Sequence, residues 1–331
     1  MTLTYRNYTS EDIDDIIHFW NENSGWETNL DQIEFNLRFC SSPCGMPIIM
    51  LAVDDDSSNI LGICCFLPAY VSLKGVETTC FRPFGAVIKE SFREKYGLTS
   101  LLMGNHPILK LYQTGTEIAK ARKASLIYLI PDPRWQKLAK IMPFTTQRFP
   151  LWSFEITADN TVSNNFFCDV RDMTLTDSEI EGLWERSSKS FFCTIKKNAQ
   201  YYRWKINFRH GLYKLKGVYE MNILVGVFTF HFKERQLIIG DLLTLDNNSK
   251  LLLTLRAACY AAQDEFARIR KDLNDLFKVS ILATTLIEEK IKEIGFKKDN
   301  YYFTLAIQLL DKINFSKADV APDQWQINAN D

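Results

Sequence analysis

The alternation of apolar and polar residues predicts a chain that passes repeatedly between strands and helices. Residues 4–8 alternate as a first strand does, and an apolar helix face that ends in Trp20 follows them. Residues 47–53 and 60–67 read as two paired strands, because the Asp- and Asn-containing segment between them is typical of a hairpin turn. A further strand is predicted over residues 78–88.

The stretch from Gly85 to Met103 has the clearest potential for chemistry. A short apolar strand runs into a charged turn with one glycine, and an apolar helix face begins at residues 101–103. A strand, a glycine-containing turn and a helix N-terminus together present free N–H groups to a phosphate. Arg93 and Lys95 add positive charge at the same place. The alternative interpretation is an ordinary connection that carries a solvated charge cluster.

The rest of the first half predicts a long helix, two strands and a short helix. Residues 104–107 interrupt the helical pattern, which resumes over residues 108–124. Residues 125–130 form a short apolar strand that prolines stop. A short helix is expected over residues 135–141 and a final strand over residues 149–156.

The second half repeats the pattern of the first after a polar segment that reads as a linker. Residues 170–174 resemble residues 5–9, and the predicted elements that follow agree in order with those of the first half. A repeat of this length is too long for a solenoid and indicates a duplicated domain. We therefore predict two copies of one α/β domain, at residues 1–157 and 166–331.

The composition excludes several classes of function. The formal net charge is −1, which argues against a protein built mainly to hold nucleic acid. No stretch reaches the roughly 18 consecutive apolar residues of a membrane span, and the first residues lack the pattern of a secretory signal. We therefore expect a cytoplasmic protein with cysteines as free thiols. Cys40 and Cys44 lack a second pair at zinc-like spacing, so no metal is expected.

Several motifs resemble the GNAT superfamily of acyl-CoA N-acyltransferases, specifically its two-copy bacterial members. That family carries Q/R-x-x-G-x-G/A in the turn after its fourth strand, where this chain has FREKYGLTSLL. In one register Gly97 takes the central position, with Glu94 and Thr99 at the ends. In the other, Arg93 takes the first position and larger residues replace both small ones. The segments IYLIPDP, IMPF and YRWK also resemble stretches of such proteins.

The resemblance implies an α/β fold class with two tandem domains, each a mixed and mostly antiparallel sheet flanked by helices. It implies acetyl-CoA, or another acyl-CoA, as the cofactor of the first half. Backbone groups of Val87 and Ile88 would pair with the pantetheine arm, and the turn after them would meet the pyrophosphate. The turn residues so implied are Arg93, Lys95, Tyr96, Gly97, Leu98 and Thr99.

Acyl transfer to an amine needs a base for the amine and, often, an acid for the departing thiolate. The family's frequent acid is a Tyr on the helix after the fifth strand, but that helix contains no Tyr here. Tyr128 on the strand is the nearest candidate, and a hydrogen-bonded core Tyr is the alternative interpretation. Glu90 is the candidate base, against a solvated turn carboxylate. His106 also lies near the turn.

These observations predict transfer of an acetyl or other acyl group to a primary amine of a small molecule or cell-envelope precursor. The second half has a degenerate motif over residues 246–250, with no glycine, and is expected not to bind acyl-CoA. Two other functions stay open: a GNAT-fold binding or regulatory protein without catalysis, and an aminoacyl-tRNA-dependent transferase of the FemAB kind.

Overall fold

The computed structural model divides the chain into two compact units. Unit 1 consists of Met1–Tyr70, Thr78–Thr145 and Ala306–Lys317, and unit 2 consists of Val71–Glu77, Thr146–Leu305 and Ala318–Asp331. The predicted linker at residues 157–165 lies outside the residues that the structure describes. Those residues are 2–25, 29–96, 98–131, 135–136, 139, 142–156, 168–173, 177–189, 191–207, 213–233, 236–245, 248–269 and 277–327.

Six strands lie side by side in unit 1, in the order β1-β2-β3-β4-β5-β13. They are β1 (Leu3–Asn7), β2 (Ile48–Asp54), β3 (Ile60–Leu73), β4 (Val76–Ile88), β5 (Leu126–Leu129) and the last residues of β13 (Lys297–Leu309). The pairs β1–β2, β2–β3 and β5–β13 are antiparallel, whereas β4 and β5 are parallel. The predicted hairpin of β2 and β3 is thereby confirmed.

The strands of unit 2 have the same arrangement, in the order β7-β9-β10-β11-β12-β6. They are β6 (Thr145–Ile156), β7 (Asp169–Asp172), β9 (Lys214–Glu220), β10 (Ile223–Lys233), β11 (Gln236–Thr244) and β12 (Phe277–Leu282). Among the described pairs of these six strands, β11–β12 is parallel and the others are antiparallel. Two short strands, β8 (Cys193–Ile195) and β14 (Trp325–Gln326), pair with each other, and β8 also pairs with residues 71–73.

The two units therefore repeat one mixed, mostly antiparallel arrangement, as the sequence predicts. Their sixth strands come from opposite halves of the chain: β13, from the second half, pairs with β5 in unit 1, and β6, from the first half, pairs with β12 in unit 2. A parallel pair needs a long crossover connection, which is usually helical. Each unit has such a helix between its parallel strands.

Helices connect and cover these strands. They are α1 (Ile13–Asn23), α2 (Gln32–Phe35), α3 (Glu90–Lys95), α4 (Leu98–Leu102), α5 (Pro107–Ala121), α6 (Asp177–Ser187), α7 (Ala199–Asn207), α8 (Asn248–Ile269) and α9 (Thr285–Ile294). Short 3₁₀ segments lie at Ser10–Asp12, Ala318–Val320 and Pro322–Gln324, and Asn36–Cys40 forms a π-helical turn. None of the described helices is both long and apolar enough to span a membrane.

The predicted helices differ from the observed ones in two places. The sequence also predicts a second helix, over residues 30–39. In the structure this helix starts at Gln32, because the Asp31 side chain accepts a hydrogen bond from the Glu34 N–H (2.7 Å) and caps it. The charged turn after β4 is itself the short helix α3. The predicted interruption at residues 104–107 is confirmed, since α5 begins at Pro107.

The sheet of unit 1 is buried on both faces, which explains why β2 is apolar from Ile48 to Val53. Ile49 and Leu51 pack with α1, whereas Ile48 and Met50 pack with α5, as the two-residue period of a strand requires. We call these sides the α1 face and the α5 face. A sheet covered on both faces reads as a continuous hydrophobic run instead of an alternating one.

Unit 2 buries a charged cluster within its core. Asp241 on β11 is fully buried, and the Lys197 Nζ lies 3.6 Å from its Oδ1 with the Lys197 side chain 1% exposed. Tyr201 donates its hydroxyl to Asp241 Oδ1 and Thr229 donates to Oδ2, both at 3.0 Å. A buried charge persists only when it is paired and hydrogen-bonded in this way.

We predict that Asp241→Ala lowers the free energy of unfolding by about 3–5 kcal/mol, because the buried Lys197 ammonium then loses its carboxylate counter-charge. Urea denaturation monitored by circular dichroism measures the change. The matched control is Asp172→Ala on β7, whose side chain is 85% exposed and pairs with Lys216; it should cost less than about 1 kcal/mol. Equal losses for the two variants would contradict this prediction.

Candidate active site

The parallel strands of unit 1 separate soon after they meet. β4 and β5 are paired at Cys80↔Leu126 and Phe81↔Ile127, yet β4 continues to Ile88. Pro83 lies in the diverging part of β4 and has no N–H to donate to a neighbouring strand. The strands therefore leave a gap bordered by residues 82–87 on one side and residues 129–131 on the other.

Gly85 reverses the side-chain alternation of β4 at this gap. Phe84 and Val87 both pack on the α1 face, whereas Ala86 and Ile88 pack on the α5 face. In a regular strand Phe84 and Ala86 would lie on the same face. Their lying on opposite faces means that one extra residue is inserted at Gly85, as in a β-bulge. Gly85 has a φ of +62°, a conformation that favours glycine. A Cβ at this position would also overlap the indole ring of Trp20.

A cavity of about 300 Å³ occupies the gap. Its lining belongs to both faces of the sheet: Trp20 and Phe84 are on the α1 face, and Ile108 and Tyr112 of α5 are on the other. The lining is mostly apolar, as small-molecule sites usually are. The remaining lining residues are Ser24, Cys64, Arg82, Pro83, Gly85, Ala86, Val87, Leu129, Ile130, Pro131, Trp135, Ala139, Met142 and Phe144.

The titratable groups of the lining on the α5 face are held in their neutral forms. Burial raises the pKa of the Cys64 thiol to about 12, so Cys64 is protonated at neutral pH and is not a nucleophile. Burial also raises the pKa of Tyr112, whose hydroxyl donates to Gln308 Oε1. Among the described lining residues, Arg82 is the one with a formal charge, and no Asp, Glu or His is present.

The structure places the predicted pantetheine-binding residues and the predicted acid in or beside this gap. Val87 lines the cavity, whereas Ile88 packs into the α5-face core beside Gly62. Tyr128 is 2% exposed on β5, where it pairs with Ile307, and it precedes Leu129 of the lining. The structure thus brings Val87 and the segment after Tyr128 to opposite sides of one gap.

The predicted phosphate-binding residues lie on the helical segment after β4. Glu90 and Arg93 are exposed on α3 and face each other, with Arg93 Nη2 3.4 Å from Glu90 Oε1. Lys95 lies over the Tyr96 ring, 5.9 Å from its centroid, and Tyr96 packs against Phe92. Leu98 opens α4, Thr99 is exposed on the same helix, and Gly97 lies outside the described residues.

His106 caps α5 and leaves its first turn without free donors. The His106 Nδ1 accepts from the Ile108 N–H at 3.2 Å, and its carbonyl accepts from Leu109 and Lys110. Pro107 has no N–H. Burial lowers the pKa of His106, which keeps the ring neutral and able to accept. The N-terminus of α5 therefore does not present the open amides by which helices bind phosphate.

Unit 2 has a glycine at the corresponding strand position but fills the space differently. In β11, Gly240 is the extra residue of a bulge, and β11 stays paired with β12 up to Ile239↔Ile281. The residue after Gly240 is the buried Asp241, where the residue after Gly85 is Ala86. Lys197, Tyr201 and Thr229 pack around Asp241, so a charged cluster stands at this place in the repeat.

Comparison with known proteins connects this geometry to one fold. No protein-family model and no curated protein sequence matches the chain. Among solved structures, a GCN5-related N-acetyltransferase from Anabaena variabilis ATCC 29413 matches with a TM-score of 0.67 and 11% identity, over 94% of this chain and 73% of that one. A probable N-acyltransferase from Enterococcus faecalis V583 matches with a TM-score of 0.66 and 10% identity, over 94% and 73%.

N-myristoyltransferase from Saccharomyces cerevisiae, solved with bound myristoyl-CoA, is also similar. It matches with a TM-score of 0.58 and 8% identity, over 92% of this chain and 82% of that one. The chain therefore has the fold of the GNAT superfamily of acyl-CoA N-acyltransferases. Each unit carries a mixed arrangement of six strands, with the parallel pair β4–β5 in unit 1 and β11–β12 in unit 2.

Sequence reasoning missed Trp20 and Arg82 as lining residues. The contact of Trp20 with Gly85 joins two distant segments and has no local signature. A glycine inside a strand pattern does suggest a bulge or a close approach of another group. A proline shortly before it removes a backbone N–H, so that edge of the strand cannot pair fully with a neighbour. The segment RPFG therefore held a signal for the gap.

We predict that Gly85→Ala lowers the free energy of unfolding by about 2–4 kcal/mol, because it adds both backbone strain and overlap with Trp20. Thermal and urea unfolding measure this loss. Gly104→Ala is the matched control: Gly104 also has a positive φ, +76°, but a Cβ there meets open space. Its cost should be limited to backbone strain, about 1 kcal/mol. If both variants lose the same stability, the Trp20 contact is unimportant.

Proposed function

We propose that this protein transfers an acyl group from an acyl-CoA to a primary amine of a small molecule or cell-envelope precursor. The gap between β4 and β5, with its apolar cavity, is the observation that supports this proposal most. It occurs on the fold of proteins described as N-acetyltransferase, probable N-acyltransferase and N-myristoyltransferase with bound myristoyl-CoA.

The cavity suits a pantetheine arm. The arm is a thin chain with two amides, and the unpaired edge of β4 beyond Phe81 offers backbone groups to such a chain as a partner strand would. Val87 lies on this edge, and Leu129 and Pro131 line the other side. Gly85 keeps Cβ atoms out of the narrow passage. When bound, coenzyme A supplies the acyl group as an activated thioester.

Transfer would be direct, without an acyl-enzyme. A covalent route needs an activated nucleophile with a base beside it. Cys64 is a protonated thiol at neutral pH, as its raised pKa requires. Ser24 lines the cavity, but the described part of the lining supplies no Asp, Glu or His to activate it. The amine itself is then the attacking group.

For proton transfer and phosphate binding we propose the same residues that the sequence indicates. Glu90 is the predicted base and Tyr128 the predicted acid. The exposed cations Arg93 and Lys95, with backbone amides between Lys95 and Thr99, are the predicted partners of the pyrophosphate. The capped first turn of α5, at His106 and Pro107, supports the assignment of these contacts to the α3–α4 segment.

One observation favours a second candidate function, a binding protein without catalysis. No carboxylate or imidazole lies among the described lining residues of the cavity, and transfer to an amine needs a base. Glu90→Gln and Tyr128→Phe separate the two possibilities once an acceptor amine is found. Under the enzyme proposal, the variants should lower kcat by about 10²–10⁴-fold while acyl-CoA binding stays unchanged.

The proposal predicts that acetyl-CoA and coenzyme A bind this protein and raise its Tm. Bound ligand at a hundredfold excess over Kd should add about 2.7 kcal/mol of stability. Ala86→Phe, which fills the cavity from its own wall, should weaken binding in isothermal calorimetry by about a hundredfold or more. Ala121→Phe is the control, since Ala121 is exposed at the end of α5.

Three results bear on the alternatives. No binding of coenzyme A or acetyl-CoA to the wild-type protein would contradict the proposed function. Equal binding by both Phe variants would place the ligand elsewhere. Stabilisation by an aminoacyl-tRNA mixture, with none by acetyl-CoA, would favour the FemAB-like alternative.

A further inference from the structure

We infer that Trp20 limits the acyl group to acetyl or a similarly short chain. This inference rests on the proposed function. It concerns the end of the cavity on the α1 face, where Trp20 lies across the bulge at Gly85. The indole ring is the wall that an acyl chain meets after passing between β4 and β5.

The Trp20 ring is held in place from two sides. It stacks on Phe84, with ring centroids 6.2 Å apart and planes 15° apart, and it contacts Phe39 edge-on at 6.0 Å. The side chain is 1% exposed, and α1 carries it between the sheet and α2. Side chains packed at this density do not move aside without cost. Trp20 is therefore a rigid wall.

The polar lining identifies the α1 face as the end where the acyl carbonyl stands. Arg82 alternates with Phe81 and shares the α1 face with Phe84, and Ser24 directly follows α1. The α5-face lining is mostly apolar and includes the buried residues Cys64, Ile108 and Tyr112, with the Tyr112 hydroxyl bonded to Gln308. The carbonyl oxygen gains negative charge when an amine attacks, so it is better placed on the face that carries the Arg82 guanidinium and the Ser24 hydroxyl.

A chain longer than acetyl would then extend from the carbonyl toward Trp20. Additional methylenes would overlap the indole or force the cluster of Trp20, Phe39 and Phe84 to repack, and overpacking a filled core is unfavourable. We therefore expect this chain to take a shorter acyl group than the myristoyl group bound to its structural neighbour, N-myristoyltransferase. Trp20 thus acts as a specificity-determining residue.

Calorimetric titration of acetyl-, butyryl-, hexanoyl- and octanoyl-CoA, with coenzyme A as reference, tests the inference. For the wild-type protein, affinity should fall about tenfold or more between acetyl-CoA and hexanoyl-CoA. Trp20→Leu should abolish this fall, and each methylene that enters the new space should raise affinity by up to about fourfold. Trp20→Phe keeps an aromatic ring and should give an intermediate profile, even if the Leu variant folds poorly.

Ile49→Val is the matched control. Ile49 on β2 belongs to the same α1-face core but is absent from the described lining, so its variant loses packing without opening the cavity. It should keep the wild-type chain-length profile at a lower Tm. Wild-type affinity that stays constant or rises with chain length would overturn the inference, as would profiles of both Trp20 variants equal to the wild type.

These outcomes differ from failure of the proposed function. If neither coenzyme A nor any thioester binds the folded wild-type protein, the proposed function fails and the inference falls with it. If coenzyme A binds and only the chain-length result is contrary, the cofactor site stands and Trp20 has no role in selection.

Discussion

The short pairing between β4 and β5 is the constraint on which the candidate site depends. Two matched residue pairs hold the strands together, and Pro83 removes a donor where pairing would continue. The sheet therefore has a gap at its only described parallel pair in unit 1, in a region that is otherwise buried on both faces. Gly85 and Trp20 keep that gap narrow at one end, and α5 closes it at the other. An apolar passage through a packed sheet follows from these few contacts.

The two units show how one strand pattern yields two different interiors. In unit 2, pairing between β11 and β12 continues to the residue before Gly240, and Asp241 follows with its ring of hydrogen-bonding partners. In unit 1 the corresponding residue is Ala86, which leaves space. Burying Asp241 requires Lys197, Tyr201 and Thr229 together, so this part of unit 2 is committed to a structural cluster. The two units have the same strand order and differ in what fills the bulge.

Much of the fold follows from local patterns. The β2–β3 hairpin, the apolar face of α1 and the interruption before α5 were all predictable, because strand alternation, helix periodicity and proline act over a few residues. The exchange of sixth strands was not, since pairing of β13 with β5 depends on contacts between opposite halves of the chain. The helical state of α3 was missed because a charged hexapeptide suits either a turn or an exposed helix.

The candidate site was only partly predictable for the same reason. The sequence indicated the end of β4 and included Val87, which lines the cavity. It could not indicate that Trp20 lies against Gly85, because that contact exists only once α1 has packed on the sheet. Nor could it show that His106 would cap α5, which depends on where the helix starts after the α3–α4 segment.

We propose that the gap between β4 and β5 holds the pantetheine arm of a coenzyme A thioester. A crystal structure of the protein grown with acetyl-CoA is the decisive measurement. We expect electron density for the arm between residues 85–87 and residues 129–131, with the acetyl group beside Trp20. Coenzyme A bound elsewhere on the chain, with this cavity empty of ligand density, would contradict it.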